Sequence, residues 1–192
     1  MRVIVGLRNP GAEYLATRHN IGAEAVANLA SVYGVGWRRR PLRARCETAG
    51  LRVGNQRVLL GLPLRMMNVT GGSVSYLVKY HRVDHEDLLI VHDDIDLPFG
   101  RLRIRAGGGS GGHNGVKSVA KALGSPDFWR LKIGVGRPPR GMDPANYVLK
   151  RFRSSERRVI DQSVEGAAEL AELWTKDPRG ARQSAGEWRP SA

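Results

Sequence analysis

Four short runs rich in valine, isoleucine and leucine punctuate the chain: Val3–Leu7, Val58–Leu62, Leu88–Val91 and Leu131–Val135. Apolar runs of this length predict buried strands of a sheet. Between them the apolar positions follow a helical period. Ile21, Ala25, Leu29 and Val32 share one stripe, which predicts a helix over Ile21–Tyr33, with Asn20 as its N-cap and Gly34 as its stop. Val74–Tyr80 and Val116–Leu123 read the same way, the second closed by Gly124. A longer helix is predicted from about Ser155 to Trp174, its apolar face built from Val159, Val164, Ala167, Ala168, Leu170, Ala171 and Trp174. Buried strands alternating with amphipathic helices predict a single α/β domain over residues 1–176, with a mixed, mainly parallel sheet and helices on both faces. After Lys176 the chain turns Pro-, Gly-, Arg- and Ser-rich, and residues 177–192 are expected to form a poorly ordered tail.

Charge adds a partner to this picture. The 192 residues carry 31 Lys and Arg against 18 Asp and Glu, a net charge of +13, which points to a polyanion. Arg38, Arg39, Arg40, Arg43 and Arg45 crowd one connection, which reads equally well as a solvated loop. Arg101-Leu102-Arg103-Ile104-Arg105 is more telling. A strand alternates faces, so the three arginines share one side, either as phosphate donors or as a solubilising edge. Cys46 is the only cysteine, so no intrachain disulfide forms and a reducing cytoplasm is expected. The opening MRVIVGLRNPG reads as a strand and a turn, not a signal peptide, and no run approaches the ~20 apolar residues of a membrane span.

Several segments carry chemistry. Gly107–Gly112 contains G-x-G-x-x-G after a strand, but Asp127 is misplaced for the ribose-binding acid of a dinucleotide fold. The glycines still expose amides to a ligand. Gly6–Gly11 is no Walker loop, because Ala12 and Glu13 stand where Lys and Ser or Thr belong. His92-Asp93-Asp94-Ile95-Asp96 ends a buried strand, where α/β proteins place their sites. Its carboxylates could hold magnesium for a nuclease, orient a histidine, or simply line a solvated turn. His81 and His85 lack the glutamate of a zincin and read as surface residues. Asn9, His19, Asn68 and Asn114 each follow a strand or open a helix, which suggests one shared site.

The blocks GLRNPGAEYLATRHNIG (Gly6–Gly22), MNVTG (Met67–Gly71), HDDIDLPFG (His92–Gly100) and GGGSGGHNGVKS (Gly107–Ser118) resemble the signature blocks of bacterial peptidyl-tRNA hydrolases, in the same order. The similarity continues through Trp129–Pro138 and DPANYVL at Asp143–Leu149. The resemblance implies hydrolysis of the ester between peptide and tRNA in N-blocked peptidyl-tRNA, with no cofactor, no metal and no covalent nucleophile. It makes His19 the general base, Asp93 its orienting carboxylate and Asn9 a group that holds base and water. Tyr14, Met67, Asn68 and Asn114 would bind substrate, and Arg103, Arg105 and Lys132 would grip tRNA phosphate. It further implies a cytoplasmic monomer with no membrane or obligatory protein partner. Departures from the family pattern fall at Arg8, Arg65, Met66 and Lys132, the last losing the bidentate fork of an arginine. A metal-dependent nuclease and a non-catalytic RNA-binding module remain the competing readings.

Overall fold

The computed structural model describes residues 1–39 and 41–191, and Arg40 of the arginine-rich connection lies outside them. The chain forms β1 (Arg2–Gly6), α1 (Ile21–Val32), β2 (Cys46–Val53), β3 (Gln56–Pro63), α2 (Gly71–His81), β4 (Leu88–Asp94), β5 (Leu102–Ala106), α3 (Asn114–Leu123), β6 (Trp129–Gly134), α4 (Pro144–Val148), α5 (Ser154–Lys176) and α6 (Pro178–Glu187). Short 3-10 turns intervene, among them Ala12–Tyr14, Arg18–Asn20 and Met67–Val69.

The strands make one 6-stranded sheet in the order β2-β3-β1-β4-β6-β5. β1 runs parallel to β3 and β4, and β4 parallel to β6. The outermost strands, β2 and β5, are antiparallel to their neighbours. The predicted mixed, mainly parallel sheet is therefore present. Alternation along the central strands feeds two cores. Ile4, Val91 and Ile133 face α1, α5 and α6, while Val3, Val5 and Ile90 face α2 and α3. Burial on both faces explains why these strands read as apolar runs.

The structure departs from the sequence expectation at four points. β2 has no Val/Ile/Leu run, because Cys46, Thr48 and Ala49 fill its first half and the buried Leu51 and Val53 alternate with the exposed Gly50 and Arg52. Asn20 occupies the N-cap position of α1, but its side chain makes no cap bond and is used elsewhere. The expected tail is instead a helix. Asp177 caps α6 by accepting from the Arg179 and Gly180 amides, Pro178 starts it, and Ala181 and Ala185 are fully buried one turn apart. Trp188 completes the seat against α5, where a side chain on Gly166 would meet the indole Nε1 at 2.3 Å. Arg101 belongs to this contact, since its Nη2 donates to the Gly186 carbonyl. It does not stand in the strand with Arg103 and Arg105.

The chain leaves β1 toward β2 and β3 but leaves β4 toward β5 and β6. Connections that diverge from adjacent parallel strands open a crevice at their carboxyl ends. Gly6 and Asp94 stand at that edge.

Candidate active site

The turn Arg18–Asn20 brings its central residue to the end of β4. His19 Nδ1 lies 2.9 Å from Asp93 Oδ1, and His113 Nε2 lies 2.9 Å from the same oxygen. All three side chains are buried. His113 stands at the N-cap of α3, where its Nδ1 accepts from the Gly115 and Val116 amides at 3.1 and 3.2 Å. An acceptor nitrogen carries no proton, so the proton of neutral His113 sits on Nε2 and points at Asp93. Asp93 in turn accepts from His19 Nδ1–H, which leaves His19 Nε2 with an unused lone pair. Burial alone would raise the Asp93 carboxyl, but the two histidines outweigh it and hold the group well below the usual carboxylate range.

His92 completes the cluster. Its Nδ1 donates to the Asp93 carbonyl at 2.6 Å, and its ring meets His113 edge-on. Burial, with His113 adding to it, lowers His92 to about 3, so it is neutral. The position of α1 depends on the absence of a side chain at Gly22. A Cβ there would lie 2.2 Å from the Val91 carbonyl oxygen, so backbone packs directly on backbone beside Asp93.

Asn9 and Asn20 lock together. The Asn9 amide donates to Asn20 Oδ1 at 2.8 Å, and Asn20 Nδ2 donates to the Asn9 carbonyl at 2.9 Å. Asn9 Oδ1 then accepts from the Met67 amide at 2.7 Å, which leaves the Asn9 Nδ2 hydrogens as its uncommitted end. A cavity of about 640 Å³ opens over these groups. Asn9, His19, Met67, Asn68, Asp93 and Asn114 line it, and Asp143–Ala145 with Val148 and Leu149 form an opposite wall. Asp143 spends Oδ1 on capping α4. Met66 also lines the cavity, whereas Tyr14 does not; its carbonyl accepts from the Thr17 hydroxyl and closes the turn that precedes His19. Arg8 turns away toward Glu47 and the Pro63 carbonyl.

The acidic run of β4 does not form a metal cage. Asp94 gives Oδ2 to Lys132 at 2.6 Å and Oδ1 to the Asp96 and Leu97 amides, while Asp96 pairs with Arg137. Among the described residues, His19, Asp93 and His113 are close enough to share an ion. His113 Nε2 carries a proton, however, so it can become a ligand only by giving up its cap on α3. The donor set does not fit a metal.

Arg103 and Arg105 are exposed on β5, as the strand alternation predicts. Across the sheet they face Lys132 and Arg130 respectively. The ion pair with Asp94 occupies Lys132, so the phosphate role expected of it is not free of competition. Arg130 was not singled out from the sequence. It is buried beneath the glycine-rich loop, donating from Nη1 to the Gly109 carbonyl at 2.5 Å and from Nη2 to that of Gly107. Burial, and then Arg105, lower its pKa. His113 was also overlooked, although a histidine just before a helix is a legible cap signal. His81 and His85 stand at the end of α2 and on the turn after it, outside the cavity.

The sequence model of the peptidyl-tRNA hydrolase family matches residues 3–189. The peptidyl-tRNA hydrolase of Kineococcus radiotolerans is 46% identical over 177 residues, spanning 88% of each chain. That of Bacillus cereus is 42% identical over 178 residues, covering 93% of this chain and 95% of the relative. The crystal structure of peptidyl-tRNA hydrolase from Acinetobacter baumannii superposes with a TM-score of 0.93 at 33% identity, covering 100% of this chain and 97% of that one.

Proposed function

The chain belongs to the peptidyl-tRNA hydrolase family, and on that premise we propose that His19, Asp93 and Asn9 carry its reaction. The protein is a hydrolase that cleaves the ester bond between peptide and tRNA, releasing both. In the proposed mechanism His19 Nε2 takes a proton from water as the water oxygen attacks the ester carbonyl carbon. Asp93 steadies the imidazolium that forms. The Asn9 Nδ2 hydrogens, with Asn68 and Asn114, donate to the developing oxyanion and to the peptide. The intermediate collapses by breaking the bond to the ribose oxygen, which recovers the proton from His19. An activated ester needs no more than this.

One observation carries the reading: a single Asp93 oxygen receives both His19 Nδ1 and His113 Nε2, which leaves His19 Nε2 as the basic nitrogen of the cavity. Met67 packs beneath the amides, and Tyr14 keeps at most an indirect role through the turn before His19. Arg103 and Arg105 hold tRNA phosphate, with Lys132 joining only when phosphate displaces Asp94. The enzyme works as a cytoplasmic monomer without cofactor, metal or obligatory protein partner. No helix among the described residues is long and apolar enough to cross a membrane. Its sole cysteine, Cys46, is a buried thiol pushed up to about 12 by burial, which leaves it unreactive.

The test is release of N-acetylated amino acid from tRNA, with and without EDTA. His19→Ala should fold and bind tRNA but lose about 10²–10⁴-fold in turnover. Wild-type-like turnover from that variant would overturn the assignment, and loss of wild-type activity in EDTA would reinstate a metal.

A further inference from the structure

The turn that carries the base holds a second buried charge. Arg18, the residue before His19, is only 4% exposed. Its Nη2 donates to both carboxylate oxygens of Glu156 at 2.9 and 2.8 Å. Its Nη1 donates to the Lys150 and Arg151 carbonyls at 3.2 and 2.8 Å. The guanidinium carbon lies over two rings, 4.4 Å from the centre of Tyr147 and 4.9 Å from that of Phe152. Backbone bonds run the same way. The Arg18 amide donates to the Lys150 carbonyl, Phe152 N–H donates to the Ala16 carbonyl, and Thr17 bridges Arg151.

These partners share a location. They belong to the chain from α4 into the first turn of α5, and α4 contributes Pro144, Ala145 and Val148 to the cavity wall. That segment is fixed in turn, since the Tyr147 hydroxyl donates to the Val135 carbonyl just past β6 and Glu156 accepts from the Arg153 amide. Three successive side chains of one turn therefore reach three different anchors. Arg18 takes the wall, His19 takes Asp93 on β4, and Asn20 takes Asn9 beyond β1.

We propose that Arg18 is a positioning residue, which sets the angle of His19 against Asp93 by tying the base-bearing turn to the α4–α5 wall of the cavity. The inference rests on His19 being the base. Arg18 does not line the cavity, so it acts through its neighbour. The choice of side chain follows from the demands of the place. Only a fork with two separate donor nitrogens can serve a carboxylate from one, two carbonyls from the other and still lay its cationic carbon over two rings. A lysine keeps the charge and loses the plane. Arg18 Nε also remains buried without a partner, a cost that an apolar residue kept only for packing would avoid.

The experiment compares Arg18→Lys with Arg157→Gln, a control that breaks a different tie between α1 and α5, through Glu24 and Asp161. Each variant is measured for thermal midpoint, for kcat and KM on N-acetylated aminoacyl-tRNA, and for the downfield proton resonances of the histidine–Asp93 hydrogen bonds. Arg18→Lys should lower kcat by about tenfold or more, because small misplacements of a catalytic group are costly. KM should stay within about twofold, since no substrate contact is removed. The His19 Nδ1–H resonance should broaden or vanish, while that of His113 Nε2–H, held by its cap on α3, should persist. Arg157→Gln should lower the thermal midpoint and leave kcat and both resonances unchanged. Wild-type kcat and an unmoved His19 resonance in Arg18→Lys would overturn the proposal. So would an equal loss of kcat in Arg157→Gln. If Arg18→Lys does not fold, Glu156→Gln removes one anchor while keeping Arg18, and an unchanged kcat and resonance there would overturn it too. The resonances do not depend on turnover, so they separate failure of the tether from failure of His19 as base.

Discussion

Replacing Asp93 by asparagine tests how the tautomer of the base is set. An asparagine can turn either its oxygen or its NH2 toward the histidines. His113 decides between them, because its Nδ1 is engaged by the Gly115 and Val116 amides and its Nε2 must donate. The amide oxygen therefore faces both rings, and His19 keeps its proton on Nδ1. What is lost is charge. An imidazolium and a carboxylate in contact across the 2.9 Å hydrogen bond have charge centres about 4 Å apart, worth about 4 kcal/mol at an effective dielectric near 20. A neutral hydrogen bond returns about 1 kcal/mol of this. The remainder, about 3 kcal/mol, is a loss of about 10²-fold in kcat. A histidine locked in the wrong tautomer would lose about 10⁴-fold. The assay is turnover of N-acetylated aminoacyl-tRNA together with the ¹⁵N shifts of the His19 ring. Adding His113→Ala removes the lock and should deepen the defect of Asp93→Asn. A loss near 10⁴-fold in Asp93→Asn alone, with the proton on His19 Nε2, would refute the reasoning.

Free aminoacyl-tRNA should be cleaved at least about tenfold more slowly than its N-acetylated form. The neutral Asn9, Asn68 and Asn114 await a peptide, and Asp93, Asp94 and Asp143 are already engaged; equal rates would refute this. Arg105→Ala should weaken tRNA binding and flatten the slope of log affinity against log salt by about one phosphate, with KM rising more than kcat falls; an unchanged slope would make the row a solubilising edge. Stability should fall on acidification below about pH 6.5. The unfolded imidazole of His92 takes its proton near 6.5 but the buried one only near 3, so the unfolded state binds more protons between those values. One such proton costs about 1.4 kcal/mol per pH unit, until the folded ring also protonates. Urea melts across that range should show a shallower dependence for His92→Asn, and equal slopes would remove His92 as the cause.

The sequence was most legible where one physical rule acted alone. Burial on both sides gave β1, β3 and β4 continuous apolar runs and β6 a run broken by Lys132, and strand alternation put Arg103 and Arg105 on one face. β2 escaped because small residues fill the buried positions of its first half and polar or glycine positions interrupt Leu51 and Val53 in its second. α6 escaped because composition argued for disorder, although Asp177-Pro178 is a helix-start signal and Ala181 and Ala185 recur at helical spacing. The candidate site followed from motif resemblance for His19, Asp93 and the asparagines, all of which meet at the cavity. The role of His113 was not readable from a pattern, since it depends on a contact between α3 and the end of β4. Arg18 and Arg130 were hidden for the opposite reason: an arginine in a basic sequence looks solvated until its carbonyl partners are known.

Gly22 bears on motion as well as on shape. Where a helix is seated through side chains, rotamer changes let it slide by fractions of an ångström on a fast timescale. The start of α1 has no such bearing against β4, because peptide plane meets peptide plane at that point. The seating of α1 on β4 is then governed by the sheet itself. Side-chain rearrangement cannot relax it, and only an opening that separates α1 from β4 can. Amide hydrogens at the start of α1 should therefore exchange at rates close to those of the central strands, and slower than those of the exposed glycine-rich loop. The turn that carries His19 runs directly into a helix seated on the backbone of the central sheet.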